Sequence, residues 1–390
     1  MSIKRPLKVV QMLPALESGG VERGTLELGR HLVQSGHRSV VIASGGRMTQ
    51  QLQDEGSLWL PWSVGRKDPS ALYWLFRLRY WLQRERPDVL HLRSRVPAWI
   101  GWLAWRSLPK ATRPLLVTTV HGFYSVNRGS AIMVAGERVV AVSTAIMDYI
   151  LQSYPSVEPE RIQLIHRGVD DALYSHGFQP DSKWLAQWNR DYPALKGRQV
   201  VTLPGRLTRL KGHATLLLIL EYLRSLNEQG GDDSMQRVSG LIVGGEDPRH
   251  SAYLQEIRDR AEALGLVIGE DLIFTGHRTD LREIMAVSDV VLSLSEKPES
   301  FGRTVLEALK IGTPVVGYGR GGVGEMLHTL LPEGAVTPGD EVAIAQQTAA
   351  FLQKRPEVPE VPGFTLQAMV ERTLEMYLEA LHERDRMADD

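Results

Sequence analysis

Short apolar runs recur along the chain and alternate with stretches whose apolar residues have helical spacing. Apolar runs of this length are typical of strands buried on both faces of a parallel sheet. The pattern predicts one set of strands near residues 7–12, 38–43, 88–92, 115–120 and 138–142, and a second set near 200–203, 240–243, 272–274, 290–293 and 314–317. Because strand and helix alternate, both sets predict α/β domains with doubly wound parallel sheets.

The least regular segment, residues 171–198, separates the two sets of strands and predicts the domain boundary. We expect one Rossmann-like domain over residues 1–180, a second over 181–363, and a C-terminal helix within 364–390. That helix follows a proline-rich break at 355–362. The pattern leaves open whether it packs on the first domain or only caps the second.

Composition and charge narrow the class of protein. With 390 residues and 43% hydrophobic side chains the chain can bury sizeable cores. A formal net charge of -1 gives no global attraction to nucleic acid. The absence of cysteine excludes disulfides and thiolate metal sites. No signal-peptide pattern and no apolar run of about 18 residues is present, so we expect a cytoplasmic protein, at most associated with a membrane surface.

Residues 295–309 carry the first candidate chemistry. Glu299 lies in a loop after a predicted strand, and Glu307 follows eight positions later in a predicted helix. Free N–H groups at a helix start, together with the helix dipole, bind anions. One carboxylate on each side of such a site would hold the two hydroxyl-bearing ends of a nucleotide-sugar. The alternative is a helix with two solvated glutamates.

The second domain opens with a cationic loop, Gly205-Arg-Leu-Thr-Arg-Leu-Lys-Gly212. Arg206 and Lys211 are candidates to stabilise the negative charge that develops on a departing nucleoside diphosphate. The flanking glycines allow the backbone to approach phosphates. The alternative is a polar loop with two exposed cations.

These motifs resemble those of the retaining glycosyltransferases of family 4, which have the GT-B fold, two Rossmann-like domains facing each other across a cleft. The spacing of Glu299 and Glu307 and the Gly-Arg-Leu-x-x-x-Lys-Gly loop carry the resemblance, which covers nearly the whole chain. It implies that Glu299 lies at the donor sugar, that Glu307 binds the nucleotide ribose, and that Arg206 and Lys211 hold the diphosphate.

The resemblance also implies contacts outside these motifs. His121, in Thr-Val-His-Gly-Phe-Tyr, would contact the donor sugar and stabilise the reacting centre without acting as a general base. The remaining expected donor-binding residues are Gly19, Gly20, Gly276, Arg278, Ser300, Phe301, Gly302, Gly322 and Glu325. The implied reaction retains the anomeric configuration: the acceptor attacks on the leaving-group face, and the departing phosphate takes its proton. No cofactor and no metal ion are expected, and the chain has no Asp-x-Asp motif.

Three alternatives remain. Gly317, Gly319 and Gly322 satisfy the G-x-G-x-x-G pattern of a dinucleotide site. Their late position, and the placement of the nearest candidate ribose-binding acid, Asp340, in a turn, disfavour a dehydrogenase. A UDP-sugar 2-epimerase shares the GT-B fold. A degenerate homologue would bind nucleotide or membrane without catalysis.

The acceptor side is less defined. Seven of the nine tryptophans lie between residues 59 and 105, and residues 66–110 carry ten Lys or Arg against three Asp or Glu. This combination suits an anionic membrane surface, although packing in the core also explains tryptophans. Arg93 and Arg95 follow a predicted strand and would meet an acidic acceptor. The segment looks similar to transferases of lipopolysaccharide core or cell-surface glycans, which implies a membrane-associated glycan as acceptor and a UDP-hexose or UDP-N-acetylhexosamine as donor.

Overall fold

The computed structural model describes residues 5–17, 19–229, 237–245 and 251–389. The chain divides into two compact units. The first unit runs to Gly168 and resumes at Phe364, and the second unit is Val169–Gly363. Each unit is built around one parallel sheet, which confirms the predicted pair of doubly wound α/β domains.

The sheet of the first unit has seven strands in the order β3-β2-β1-β4-β5-β6-β7. The strands are β1 (Lys8–Ala15), β2 (Arg38–Ser44), β3 (Leu58–Pro61), β4 (Val89–Leu92), β5 (Leu115–Val120), β6 (Arg138–Ala141) and β7 (Ile162–Leu164). β4 and β5 are buried along their whole length, as their unbroken apolar runs predict. The strand order reverses between β1 and β4, so ligands are expected at the carboxyl ends of these two strands.

The helices of the first unit cover both faces of this sheet. They are α1 (Gly20–Gln34), α2 (Thr49–Asp54), α3 (Ser70–Glu85), α4 (Arg95–Arg106), α5 (Thr144–Ser153) and the C-terminal α13 (Leu366–Asp389). α13 belongs to the first unit although it is last in the chain. Its Tyr377 is fully buried in a core cluster with Leu7, Val9 and Val117. Its hydroxyl lies 2.6 Å from Nδ1 of His91.

The sheet of the second unit has the order β10-β9-β8-β11-β12-β13. Its strands are β8 (Gln199–Pro204), β9 (Val238–Val243), β10 (Leu272–Gly276), β11 (Val290–Ser293), β12 (Val315–Tyr318) and β13 (Ala335–Val336). Its helices are α6 (Ser182–Asp191), α7 (His213–Gln229), α8 (Ser251–Ala263), α9 (Leu281–Ala286), α10 (Arg303–Lys310), α11 (Gly321–Leu330) and α12 (Glu341–Gln353). Here the order reverses between β8 and β11.

The observed division after Gly168 lies twelve positions before the predicted boundary at residue 180. The irregular segment that suggested the later boundary is attached to the second unit. Asp171 pairs with Lys310 at 2.7 Å, and the Leu173 carbonyl accepts a hydrogen bond from Arg282 at 2.9 Å. The segment 171–198 therefore contains a loop fastened to the second unit and helix α6, and it is not the linker between the units.

The chain leaves and re-enters the first unit at adjacent points. A Cβ on Gly168 would lie 2.0 Å from the carbonyl oxygen of Thr365, so the two backbone segments touch. Glycine is required there for close approach, because no side chain fits between them.

Candidate active site

The motif residues of the second unit lie at the reversal point of its sheet, where the strand order reverses between β8 and β11. The loop after β8 carries Arg206 and Lys211, and the loop after β11 carries Glu299. Carboxyl ends of adjacent parallel strands lie at one edge of a sheet, so the two loops are neighbours. The amide of Glu296 donates to the Leu210 carbonyl at 2.9 Å, which links them directly.

Lys211 and Glu299 form an ion pair at the centre of this edge. The Lys211 Nζ lies 2.5 Å from Oε1 of Glu299, and the Ser295 hydroxyl donates to the same oxygen. Burial raises the pKa of Glu299, but the Lys211 charge and the two hydrogen bonds outweigh burial, so the net effect lowers its pKa. Glu299 is therefore an anion at neutral pH and holds Lys211 in place. Arg206 is exposed, and no described residue pairs with it.

The glycines at the start of α11 pack against the loop that carries Glu299. The Gly322 amide donates to the Glu299 carbonyl at 2.8 Å. A Cβ on Gly322 would lie 2.3 Å from Cα of Phe301, and one on Gly321, where φ is +58, would lie 2.6 Å from the Glu299 carbonyl oxygen. The glycines thus permit contact between two backbone segments.

Helix α10 begins immediately after this loop. Gly302 precedes it in a left-handed conformation with φ +83, and Phe301 is buried. Glu307 is only 3% exposed and accepts a hydrogen bond from Nε of Arg303 at 3.1 Å. Ser300 is half-buried beside Glu299. The predicted pair of carboxylates therefore consists of one half-buried loop residue and one buried helix residue.

The remaining predicted donor-binding residues of the second unit differ in their exposure and in the contacts that they make. Gly276 ends β10 with φ +69 and open space around its Cβ position. Arg278 makes two hydrogen bonds to Asp280, at 2.9 and 2.6 Å, and lies over the Trp188 ring. Its guanidinium is thus engaged within the unit. Glu325 is half-buried in α11.

In the first unit, Gly19 and Gly20 form the turn between β1 and α1 and are exposed. No described atom lies within 4 Å of a Cβ built on Gly20. The sequence therefore places a residue without a side chain where the protein itself does not require one, which fits close approach by a ligand.

His121 follows β5 and is fixed by Arg167, which follows β7. The Arg167 Nη2 lies 2.8 Å from Nδ1 of His121. A guanidinium can only donate, so Nδ1 accepts and the neutral ring carries its proton on Nε2. Nε2 is buried and has no partner among the described residues. Burial, followed by the charges of Arg167 and Arg93, keeps the pKa of His121 well below 6.5. His121 is therefore a neutral hydrogen-bond donor.

Arg93 and Arg95 are separated, although only Ser94 lies between them. Arg93 is 5% exposed and donates to the Gln11 side chain at 2.6 Å. Arg95 begins α4, is exposed, and lies over the Tyr124 ring at 5.1 Å. Burial, the largest effect, lowers the pKa of Arg93 to about 10, so it remains a cation at neutral pH. The structure places Arg93 with His121 and Arg167 around one cavity, and Arg95 is not among the residues that line it.

Most of the clustered tryptophans pack against the core. Trp62 is buried, and Trp74 and Trp81 stack or pack edge-on against it. The outward face of α3 carries other apolar residues instead, and they are 55–66% exposed: Leu72, Tyr73, Phe76 and Tyr80. With about 100° per residue, from 3.6 residues per turn, these four lie within one quarter to one third of the helix circumference. We call them the α3 apolar face.

Two contributors to the site were not recognised in the sequence. Ser295 supports Glu299, and Arg167 orients His121. Arg167 follows β7, a three-residue edge strand with Gln163 at its centre, so no continuous apolar run marks the strand in the sequence.

The described residues contain neither a cluster of metal ligands nor a membrane-spanning helix. Across residues 5–17, 19–229, 237–245 and 251–389, no three His, Asp or Glu side chains come together as metal ligands would. In the same ranges no helix combines the length and apolarity needed to cross a bilayer.

Comparisons with known proteins identify the fold and the family of the chain. Residues 18–173 match the family model Glycosyltransferase Family 4, and residues 186–361 match Glycosyl transferases group 1. A solved glycosyltransferase from Rickettsia africae is 26% identical with a TM-score of 0.83, covering 96% of this chain and 99% of that one. The Anabaena protein Alr3699/HepE, solved with UDP-glucose, is 20% identical with a TM-score of 0.73, covering 96% and 100%.

A curated relative, the N-acetyl-alpha-D-glucosaminyl L-malate synthase of Bacillus anthracis, is 25% identical over 353 residues, which are 87% of this chain and 86% of the relative. The two family models adjoin along the chain and together span most of both units. The chain therefore belongs to the GT-B glycosyltransferases that join a Glycosyltransferase Family 4 domain to a Glycosyl transferases group 1 domain.

Proposed function

We propose that the protein transfers a sugar from a nucleoside-diphosphate sugar, a UDP-hexose or UDP-N-acetylhexosamine, to a membrane-associated glycan such as a lipopolysaccharide core. The observation that carries the donor part is the Lys211–Glu299 pair at the reversal point of the second sheet, with exposed Arg206 on the same loop. The UDP-glucose bound to the Anabaena neighbour supports a donor of this class. The malate named for the Bacillus relative supports a small or anionic acceptor group.

In this proposal the bond between the anomeric carbon and the diphosphate oxygen breaks, and the acceptor hydroxyl forms the new bond on the same face. The departing phosphate takes the hydroxyl proton. Arg206 and Lys211 stabilise the charge that develops on the diphosphate, without a metal ion. Glu299 binds the donor sugar and Glu307 the ribose, while Gly276 and Arg278 adjoin the nucleobase.

Transfer assays test this proposal. UDP-, ADP- and GDP-sugars are each incubated with the protein and a panel of phosphorylated and carboxylated glycan acceptors, with and without EDTA, and the product's anomeric configuration is read by NMR. We expect transfer with retention that EDTA does not reduce. Donor consumption without any acceptor, giving an epimerised sugar, would favour the 2-epimerase alternative. No turnover with intact nucleotide binding would favour an inactive homologue.

His121 should act as a neutral hydrogen-bond donor through Nε2. Gln places an N–H near the Nε2 position and Asn does not reach it, so we expect His121→Asn to lower kcat/KM by about tenfold more than His121→Gln, the difference a single lost hydrogen bond of about 1.4 kcal/mol makes. The folded pKa lies well below 6.5, so kcat/KM should show no histidine inflection between pH 6 and 8.

The free energy of unfolding, unlike kcat/KM, should depend on pH. Below about pH 6.5 the unfolded histidine takes up a proton that folded His121 does not, so the free energy of unfolding should fall as pH decreases. Equal kcat/KM for the Asn and Gln variants, or a sharp loss of activity below pH 7 in a folded sample, would contradict the assignment.

We further propose that the first unit docks on the cytoplasmic face of an anionic membrane through the α3 apolar face. Arg77, Arg79 and Arg84 lie on α3 beside this face, and Glu85 is the helix's single acidic residue. Apolar side chains flanked by arginines match a bilayer surface that is both apolar and negative.

Vesicle flotation measures this docking. Phe76→Glu with Tyr80→Glu should lower the partition onto phosphatidylglycerol-containing vesicles by about tenfold or more, because burial of even one such side chain contributes about 1.5–3 kcal/mol. Salt should weaken binding of the wild type. Val342→Glu, at a 63% exposed apolar position of the second unit, is the matched control and should bind normally. Equal partition onto neutral vesicles would remove the electrostatic part of the proposal.

A further inference from the structure

A small cavity of about 20 Å³ lies among buried polar residues of the first unit. Side chains that approach it come from the ends of β4, β5 and β7 and from α13: His91, Arg93, Thr119, His121, Arg167 and Thr373. A water molecule needs about 10–15 Å³ of such space, so the cavity admits one small polar group and no sugar ring. His121, on one side, is only half-buried, so a group can enter from there.

The cavity is cationic. Arg93 and Arg167 are both more than nine-tenths buried. Among the described carboxylates, Glu27 of α1 is the one whose charge acts on Arg93. His91 and His121 are neutral, because burial and the two guanidiniums lower their pKa values. Arg93 and Arg167 thus bring two buried positive charges to one cavity.

Two buried hydrogen-bond donors belong to residues that line this cavity. The Arg93 Nη1 donates to Gln11, but its Nε is buried and has no acceptor among the described residues. The Nε2 of His121 is in the same condition. Buried donors are nearly always satisfied in folded proteins, so two donors of one cavity lining without an acceptor among the described residues favour an acceptor that arrives from outside.

Gly24 of α1 completes the pocket. A Cβ there would lie 2.0 Å from Nη1 of Arg167 and 3.4 Å from Nη2 of Arg93. Any side chain at position 24 would displace the guanidinium of Arg167. The helix thus leaves space in which the two arginines converge.

We propose that Arg93 and Arg167 form an anion subsite that binds a carboxylate or phosphate group, with one oxygen inserted between the guanidiniums. Planar guanidinium groups match the paired oxygens of both groups. If the proposed transfer is correct, this group belongs to the acceptor, and the subsite makes the enzyme specific for acidic acceptors. The sequence suggested Arg93 with Arg95. The proposed subsite pairs Arg93 with Arg167 instead.

Anion titration with thermal unfolding tests the subsite. Sodium phosphate and sodium acetate are titrated separately against sodium chloride of equal ionic strength, with UDP present throughout to occupy a donor diphosphate site. We expect phosphate or acetate to raise the Tm of the wild type by about 3–5 °C at ten times its Kd. Arg167→Gln should abolish the rise. Arg95→Gln, an exposed cation of the same segment, should keep it. The anion that gives the larger rise identifies the group.

Absence of an anion-specific rise in the wild type, or an equal rise in Arg167→Gln, would overturn the subsite. If Arg167→Gln does not fold by near-UV circular dichroism, Arg167→Lys, which keeps the charge but loses the planar fork, and Gly24→Ala take its place; both should weaken the rise. A separate titration with UDP alone reports on the donor site. Its failure would count against the proposed function and leave the difference between wild type and Arg167→Gln interpretable.

Discussion

Replacing Lys211 with alanine should lower kcat by about 100- to 1,000-fold, the effect of removing one preorganised donor to a developing oxyanion. The substitution removes the cation that we assign to the departing diphosphate. It also leaves Glu299 without its 2.5 Å partner at the reversal point of the sheet. Single-turnover rates with the best donor from the panel measure the effect.

The same loop supplies a matched control. Arg209 is an exposed cation that pairs with Glu256 on the surface, two positions from Lys211. Arg209→Ala should therefore change kcat little. Lys211→Arg keeps the positive charge and should retain more activity than the alanine variant. Unchanged turnover in both Lys211→Ala and Arg206→Ala would show that the diphosphate lies elsewhere.

Replacing Gly322 with alanine should both destabilise the second unit and weaken donor binding. The added Cβ would lie 2.3 Å from Cα of Phe301, and backbone atoms cannot yield as a flexible side chain can. Overpacking of this kind costs about 1–3 kcal/mol. The same loop contains Glu299, whose carbonyl accepts a hydrogen bond from the Gly322 amide. Strain in this loop should therefore displace the Glu299 side chain as well.

Gly324→Ala separates the two effects. Its Cβ would lie 2.5 Å from the Gly319 carbonyl carbon, so it should destabilise the same helix by crowding a different segment. Urea unfolding gives the stability of both variants, and calorimetric titration with UDP at a temperature where both are folded gives the affinity. Equal UDP affinity in Gly322→Ala and wild type would contradict the role of this contact in positioning Glu299.

The central strands could be predicted from the sequence because a parallel strand buried on both faces is a continuous apolar run. The strands that the pattern missed are β3, β7 and β13, each of four residues or fewer and each at a sheet edge. These three strands are short and only partly buried, so no such run marks them. Because β7 was not predicted, the sequence did not indicate that Arg167 follows a strand of the first sheet.

The donor motifs could be predicted because their residues lie close together in the chain. Glu299 and Glu307 occupy one loop–helix segment, and Arg206 and Lys211 occupy one loop. The anion subsite could not be predicted in this way. Arg93 and Arg167 meet only because β4 and β7 belong to the same sheet, and local patterns carry no information on that contact.

The orientation of α3 was ambiguous for a related reason. Trp74 and Trp81 are seven positions apart and face the core, while Leu72, Phe76 and Tyr80 are four apart and face outward. Both faces are apolar, so hydrophobic periodicity does not distinguish the core face from an exposed one. The aromatic residues proposed to contact the membrane are consequently not tryptophans of α3.

Calorimetric titration with nucleotides shows whether the reversal point of the second sheet binds a nucleoside diphosphate. UDP, ADP, GDP and NAD are titrated into the wild type, Lys211→Ala and Glu307→Ala. We expect one nucleoside diphosphate to bind with 1:1 stoichiometry, and we expect each substitution to weaken its binding by about tenfold or more, a loss of about 1.4 kcal/mol. Binding of NAD with none of the diphosphates, or diphosphate binding unaffected by both substitutions, would contradict it.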